Sequence, residues 1–82
     1  SEIFKVVFAL YQVFDNEPSP FNLDNQLLNF IRSFNSKHTL QSFATAAQDY
    51  EILKAIEVYE KFPYKRIKEL YDTLKRFNKS RK

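Results

Sequence analysis

The most apolar stretch of the chain is residues 3–14, which read IFKVVFALYQVF. Only Lys5 and Gln12 are polar there, and because they lie seven residues apart they share one face of a helix. A helix that is apolar nearly all round has to be surrounded by other elements. The pattern therefore predicts a central helix over residues 2–14, or a helix whose second partner lies outside these 82 residues.

The rest of the chain repeats apolar residues at helical spacing, so we predict an all-α fold. Pro18 and Pro20 break the chain after the first helix, and Pro63 ends one helix and can begin the next. Between them the apolar period runs through Gln48 and Asp49, which predicts either one long helix over 40–62 or two helices with a break at that point. The predicted architecture is a small bundle of four to five helices, at about 2–14, 23–35, 40–48, 50–62 and 64–78.

Polar residues that can accept a hydrogen bond from the backbone predict where these helices begin. Asn22 is the predicted N-cap of the second helix, Thr39 or Ser36 that of the third, and Asp49 that of a separate fourth helix. The last helix carries its apolar residues within one arc, which we expect to face the core. The arc comprises Tyr64, Ile67, Leu70, Tyr71, Leu74 and Phe77.

The composition argues against several classes of function. Gly is absent, which argues against P-loops, dinucleotide-binding folds and β-hairpins, because these need its backbone freedom. Cys is also absent, which excludes disulfides and thiolate metal sites. His38 is the only histidine and lies in a predicted turn, and the carboxylates form no tight constellation. We therefore predict no enzyme activity, no metal, no cofactor and no small-molecule substrate.

We expect residues 1–78 to form a single domain, followed by a frayed basic tail at 79–82. Met is absent even at position 1, which predicts that this domain is excised from a larger protein. No apolar run is long enough to cross a bilayer. The sequence has no signal-peptide pattern and no Cys, which favours an intracellular location, cytoplasmic or nuclear.

Charge is distributed unevenly along the chain. Residues 1–63 contain five Lys or Arg and eight Asp or Glu, whereas residues 64–82 contain eight and two. A basic last helix is typical of a contact with a phosphate backbone, and a merely solvated helix surface gives the same pattern. The tight junction at Phe62 and Pro63 is weakly compatible with a helix-turn-helix unit, but the Gly that such turns often contain is absent. The candidate nucleic-acid-binding residues are Lys65, Arg66, Lys68, Lys75, Arg76 and Lys79.

Nine Phe and five Tyr make the chain rich in aromatic residues for its size. Either all of them are internal, or some form an exposed apolar surface, for which Phe4, Phe8, Tyr11 and Leu28 are the candidate protein-interface residues. We expect a non-catalytic helical interaction domain that mediates protein–protein assembly within a larger protein. Its partner would be another protein chain or domain, a second copy included. The alternative is a DNA- or RNA-binding domain that places its basic C-terminal helix on the phosphate backbone.

Overall fold

The structure, a computed structural model, describes residues 2–80 except for the side chain of Ser80. Over these residues the chain forms five α-helices and no strand, which confirms the predicted all-α bundle. The helices are α1 (Glu2–Phe14), α2 (Asn25–Arg32), α3 (Lys37–Ala47), α4 (Tyr50–Lys61) and α5 (Tyr64–Ser80).

The helix α1 lies at the centre of the bundle. Five consecutive residues, 7–11, are buried, so the middle of the helix has no face in contact with solvent. α1 packs against α2, α4 and α5, and α3 packs against α4. The buried side chains of the described residues include no charged group, so the apolar surface removed from water drives this packing.

The helix α2 is shorter than predicted at both ends. Its N-cap is Asp24 and not Asn22, because the Asp24 carboxylate accepts a hydrogen bond from the backbone N–H of Gln26 at 2.8 Å. This carboxylate also places negative charge at the positive end of the helix dipole. At the other end, the N–H of Ser33 bonds to the carbonyl oxygen of Asn29 at 3.1 Å, and the helix ends there.

Two separate helices, not one, cover residues 40–62. The hydroxyl of Ser36 accepts a hydrogen bond from the N–H of Thr39 at 3.3 Å, so α3 begins before residue 40. α3 ends at Gln48, which adopts the left-handed conformation with φ 55° and cannot continue the helix. Asp49 then caps α4, because its carboxylate accepts from the N–H of Ile52 at 3.1 Å.

Two buried tyrosines join α1 to the end of α4. The Tyr11 hydroxyl donates to the carbonyl oxygen of Tyr59 at 3.0 Å and also lies against that of Phe62. It therefore bonds carbonyls that the end of a helix leaves without an intrahelical partner. The Tyr59 hydroxyl in turn donates to the Asp15 carboxylate at 2.7 Å. Together these bonds fix the C-terminal ends of the two helices against each other.

The loop between α1 and α2 folds back over the bundle. The ring of Phe21 packs edge-on against Phe8, with centroids 4.8 Å apart, and against Tyr71, with centroids 3.6 Å apart. The Tyr64 hydroxyl donates to the carbonyl oxygen of Pro18. The loop thus closes the core over the junction of α1 with the first half of α5.

Only the first half of α5 is packed into the bundle. Ile67 is buried, and Tyr64 and Tyr71 are partly buried. The predicted inward orientation is wrong for the other three members of the arc, which are largely exposed: Leu70, Leu74 and Phe77.

The second half of α5 extends beyond the body of the bundle. Residues 73–79 are all exposed. The radius of gyration is 13.1 Å and the longest dimension is 41 Å, whereas a compact domain of this length has a radius of roughly 12 Å.

Lys79 belongs to the helix and not to a frayed tail. Ser80 is the last residue of α5, and the other two residues of the predicted tail, Arg81 and Lys82, lie outside the described residues.

We predict that replacing Gln48 by Gly stabilises the protein by about 1 kcal/mol, because the left-handed conformation costs every residue except Gly roughly this much. The matched control is Gln41→Gly, an exposed site inside α3, which should destabilise by about 0.5–1 kcal/mol. Urea unfolding measures both. A Gln48→Gly protein less stable than wild type would contradict the left-handed end of α3.

Candidate interaction site

A groove of about 470 Å³ lies along α5, between this helix and the neighbouring surfaces of α1 and α4. The groove follows successive turns of α5, because Arg66, Leu70 and Thr73, which line it, are three or four positions apart along that helix. Its apolar lining comes from all three helices and from the α4–α5 junction, and its polar lining comes from α5 alone. The apolar residues are Phe4, Val58, Phe62, Ile67 and Leu70, and the polar ones are Arg66, Glu69 and Thr73.

Two of the apolar side chains in the groove are open to solvent. Phe62 is 45% exposed and Leu70 is 50% exposed. Phe62 is the C-cap of α4 with an extended backbone, φ −120°, because a residue before proline is excluded from the helical region. Leu70 follows the buried Ile67 by three residues, so it lies at the margin of the face that packs on α1.

Leu74 continues this apolar surface one turn further along α5. It is 45% exposed and follows Leu70 by four residues, which places both side chains on the same face. We call Leu70 and Leu74 the apolar row. Single exposed leucines are normal on protein surfaces, but an apolar row that continues from an open groove is typical of an interaction site.

Three of the four predicted interface residues lie inside the bundle. Phe8, Tyr11 and Leu28 are buried by other parts of the same chain, so they present no surface to a partner in the folded protein. The aromatic side chains of the α1–α2 loop and of α5 cover Phe8. Phe4 is partly exposed and lines the groove. The apolar surface predicted on α1 is therefore corrected to the groove beside it.

Sequence reasoning did not find Val58, Phe62 and Leu70 as exposed groove residues. Helical periodicity identifies the apolar face of a helix, but it does not show how much of that face the other helices cover. One usable signal was the position of Phe62 directly before Pro63, where the chain leaves α4 and a side chain loses its helical neighbours. Leu70 gave no such signal.

The predicted basic residues are all exposed on α5. By helical spacing, five of them lie away from the apolar row, whereas Arg66 lines the groove. The ion pairs found among the described residues join Glu2 to Lys5 and Glu57 to Lys61, and neither includes a cation of α5. We call these five residues the basic stripe, whose margin beside Glu69 is formed by Arg76: Lys65, Lys68, Lys75, Arg76 and Lys79.

The edge of α4 beside the groove is also basic. Val58, which lines the groove, follows Lys54 by one turn and precedes Lys61 by one turn. The side chain of Lys61 donates to Glu57 at 3.0 Å, and this hydrogen bond lowers the pKa of Glu57. The charges of Lys61 and then of Lys54 lower the same pKa further. This edge of α4 therefore carries two lysines and one glutamate.

A second group of exposed aromatic side chains lies on α2 and α3. The ring centroids of Phe30 and Phe43 are 6.0 Å apart, and Phe34 lies 5.3 Å from the first and 5.2 Å from the second. Phe30 and Phe43 are more than one-third exposed, although their apolar spacing predicts an inward orientation. The rings of this group pack on one another and so cover part of their own surface.

The bonds that join α1 to α4 also affect tyrosine ionisation. Burial raises the pKa of Tyr59, and its hydrogen bond to Asp15 raises it further. The pKa of Tyr11 is raised by burial and then by the charge of Asp15, and that of Tyr64 by burial and then by the charge of Glu17. The folded protein therefore holds the protons of these hydroxyls more tightly than an unfolded chain does.

The part of the chain that the structure describes contains no cluster of metal ligands. No group of three potential ligands could hold a metal ion there. His38 lies exposed in the first turn of α3 and not in a turn between helices. None of the helices over residues 2–80 combines the length and the hydropathy needed to cross a membrane.

Comparisons with protein-family models, with curated proteins and with solved structures give no match for this chain. Its function therefore has to be argued from its own surfaces. These are the groove, the apolar row that continues it, and the basic stripe on the other side of α5.

We predict that the protein loses stability above about pH 10 and that Tyr59→Phe reduces this loss. Unfolded tyrosines ionise near pH 10, whereas the raised pKa values keep the folded hydroxyls protonated. The unfolded state then binds fewer protons, so the free energy of unfolding falls as the pH rises. Tyr59→Phe also removes the bond to Asp15 and should cost about 1 kcal/mol at pH 7.

Urea unfolding of both proteins between pH 8 and 11 tests this expectation. Every other titratable group is common to both proteins, so the difference between the two curves isolates Tyr59. The difference in stability should shrink as the pH rises above about 10. A difference that stays constant over the whole range would show that Tyr59 contributes nothing to the alkaline loss.

Proposed function

We propose that the protein is a non-catalytic helical interaction domain that mediates protein–protein assembly within a larger protein. The groove beside α5 would receive an amphipathic helix of the partner. The supporting observation is that the apolar row continues the groove, so that apolar side chains stay open to solvent along one side of α5. An intracellular location is part of this proposal, and the cysteine-free composition suits it.

The dimensions of this surface fit a docked helix. From Arg66 to Leu74, α5 rises by roughly 12 Å, and the anchors of an amphipathic helix at i, i+3, i+4 and i+7 span roughly 10 Å. The groove volume of about 470 Å³ is open along this length. Fully burying a leucine contributes roughly 1.5–3 kcal/mol. A partner that covers Leu70 and Leu74, each about half exposed, therefore gains a useful part of that free energy.

We predict that Leu70→Glu weakens the binding of a helical probe peptide at least about tenfold. The probe has about sixteen residues, with leucines at i, i+3, i+4 and i+7 and a neutral polar face. A charge at a central apolar contact costs at least about 1.4 kcal/mol, which corresponds to this factor. Titrations followed by NMR give the affinity and should show the largest shifts at Val58, Phe62 and Leu70.

The matched control is Phe43→Glu, because Phe43 is 46% exposed and receives the same charge at a distance from α5. The affinity of the Phe43→Glu variant for the probe peptide should stay within about twofold of the wild-type affinity. Two outcomes would contradict the proposed function. One is equal weakening by both variants, and the other is a set of shifts centred on α2 and α3.

The second candidate function is DNA or RNA binding through α5. The observation that favours it is that the basic stripe is exposed and that none of its cations takes part in an ion pair among the described residues. Cations arranged in this way along one side of a helix can contact successive phosphates. The apolar row has no role in this alternative, which separates it from the first candidate.

We predict for this alternative that replacing Lys68, Lys75 and Arg76 together by Glu lowers the affinity for duplex or single-stranded nucleic acid more than about tenfold. Each lost phosphate contact should also reduce the salt dependence of binding, by about 0.9 in the logarithmic slope for a duplex. Gel shifts at two salt concentrations measure both effects. If the triple variant binds as tightly as wild type, α5 does not bind the phosphate backbone.

A further inference from the structure

We infer that the helix received by the groove carries acidic residues beside its apolar face. This inference rests on the proposed function, because it names the chemistry of the partner that the same groove would take. It follows from the charges around the groove, from the charge of α5 as a whole, and from the spacing of two arginines.

Cations outnumber carboxylates around the groove. Arg66 lines it directly, and Glu69 is the only carboxylate among its lining residues in the described chain. Arg76, at the margin of the basic stripe, follows Glu69 by seven residues, or two turns, and so borders the groove on the Glu69 side. On the opposite edge, Lys54 precedes Val58 by one turn and is exposed. The ion pair between Glu57 and Lys61 on the same edge of α4 is neutral as a whole. Apart from that pair, a helix docked on the apolar lining has its flanks next to three cations and one carboxylate.

The charge of α5 also argues against a second copy of this chain as the occupant. Residues 64–82 contain eight Lys or Arg and two Asp or Glu. Two copies that meet through the same groove in a symmetric dimer would bring two such segments together. Like charges placed side by side across an interface oppose association. A partner of opposite charge gains from the same arrangement.

The spacing of the two arginines narrows the expected sequence of the partner. Arg66 and Arg76 are ten positions apart, which is roughly 15 Å along α5. A helix that fills the groove lengthwise runs nearly parallel or antiparallel to α5. Two carboxylates of the docked helix meet both arginines when these carboxylates are about ten or eleven residues apart in the partner sequence. The inferred partner is thus an amphipathic helix with an acidic residue near each end of its apolar face.

Three versions of the sixteen-residue probe peptide test this inference. They share the leucine positions and differ at two sites ten residues apart, which carry Glu, Gln or Lys. Fluorescence anisotropy gives the affinity of each peptide for wild type, for Arg66→Glu and for Lys68→Glu. Arg66→Glu and Lys68→Glu change the net charge of the protein by the same amount, but the two substitutions lie on opposite sides of α5.

We expect the Glu peptide to bind wild type about fivefold more tightly than the Gln peptide, as two exposed ion pairs would give. The Lys peptide should bind more weakly than the Gln peptide. Arg66→Glu should reduce the preference for Glu over Gln to less than about twofold, whereas Lys68→Glu should leave most of it in place.

The remaining outcomes would overturn the inference. If the Gln peptide binds as tightly as the Glu peptide, the partner need not be acidic, although the proposed function stands. If Arg66→Glu and Lys68→Glu reduce the preference equally, only overall charge matters and the groove edge does not. If none of the peptides binds, the inference and the proposed function both fall. A sedimentation mass above 9.8 kDa that Leu70→Glu abolishes would assign the groove to a second copy.

Discussion

The burial of the middle of α1 on every side is the constraint on which the rest of the structure depends. A helix with apolar residues around its whole circumference is stable in water only when other elements surround it. α2, α4 and α5 pack around it, and the loop after α1 adds the ring of Phe21. The Tyr11 hydroxyl, on the same helix, bonds to the end of α4. The centre of the bundle is thus closed by contacts from almost every part of the chain.

α5 meets this constraint with only half of its length. Ile67 is buried, and Tyr64 and Tyr71 pack around Phe8, which completes the cover of α1 on that side. Leu70 lies at the margin of this packed face, and Leu74 lies one turn beyond it. The apolar row therefore stays in contact with water and continues the groove along α5. The candidate binding surface is in this sense a consequence of one helix being longer than the core requires.

The sequence predicted the helical type of every element and left the number at four to five, because the apolar spacing is continuous and most helix ends contain prolines or capping residues. Asp49 was correctly identified as the cap of α4, since a carboxylate there meets the free N–H groups of a new helix. The break at Gln48 could only be given as one of two alternatives. The residue takes a left-handed conformation that is unusual for glutamine, and the apolar period passes through it unchanged.

The orientation of individual apolar residues was harder to predict than the helices themselves. Leu28 was a candidate for an exposed interface and is buried, whereas Phe30, two residues further along α2, is exposed. The short α2 can turn either face to the core, and the contact with α1 decides which. The same limit applies to the groove, because it depends on where α4, α5 and α1 diverge. No pattern within a single helix contains that information.

The basic stripe and the apolar row share one helix, and this combination links the two candidate functions. A cationic helix with exposed leucines can attract an acidic partner at long range and hold it by apolar contact. Nucleic acid would use only the charges. The two kinds of partner are therefore distinguished by whether the leucines matter, and the charge of α5 alone does not decide between them.

The central claim is that the bundle leaves the apolar row of α5 uncovered, and the proposed function adds that a partner covers it. Amide hydrogen exchange, measured with and without the acidic probe peptide, tests it most directly. Without peptide, the amides of residues 7–11 should exchange as slowly as global unfolding allows, and those of residues 73–79 should exchange orders of magnitude faster. Adding the peptide should slow exchange in α5 around Leu70 and Leu74. Equal protection of α1 and of residues 73–79 in the free protein would contradict the account.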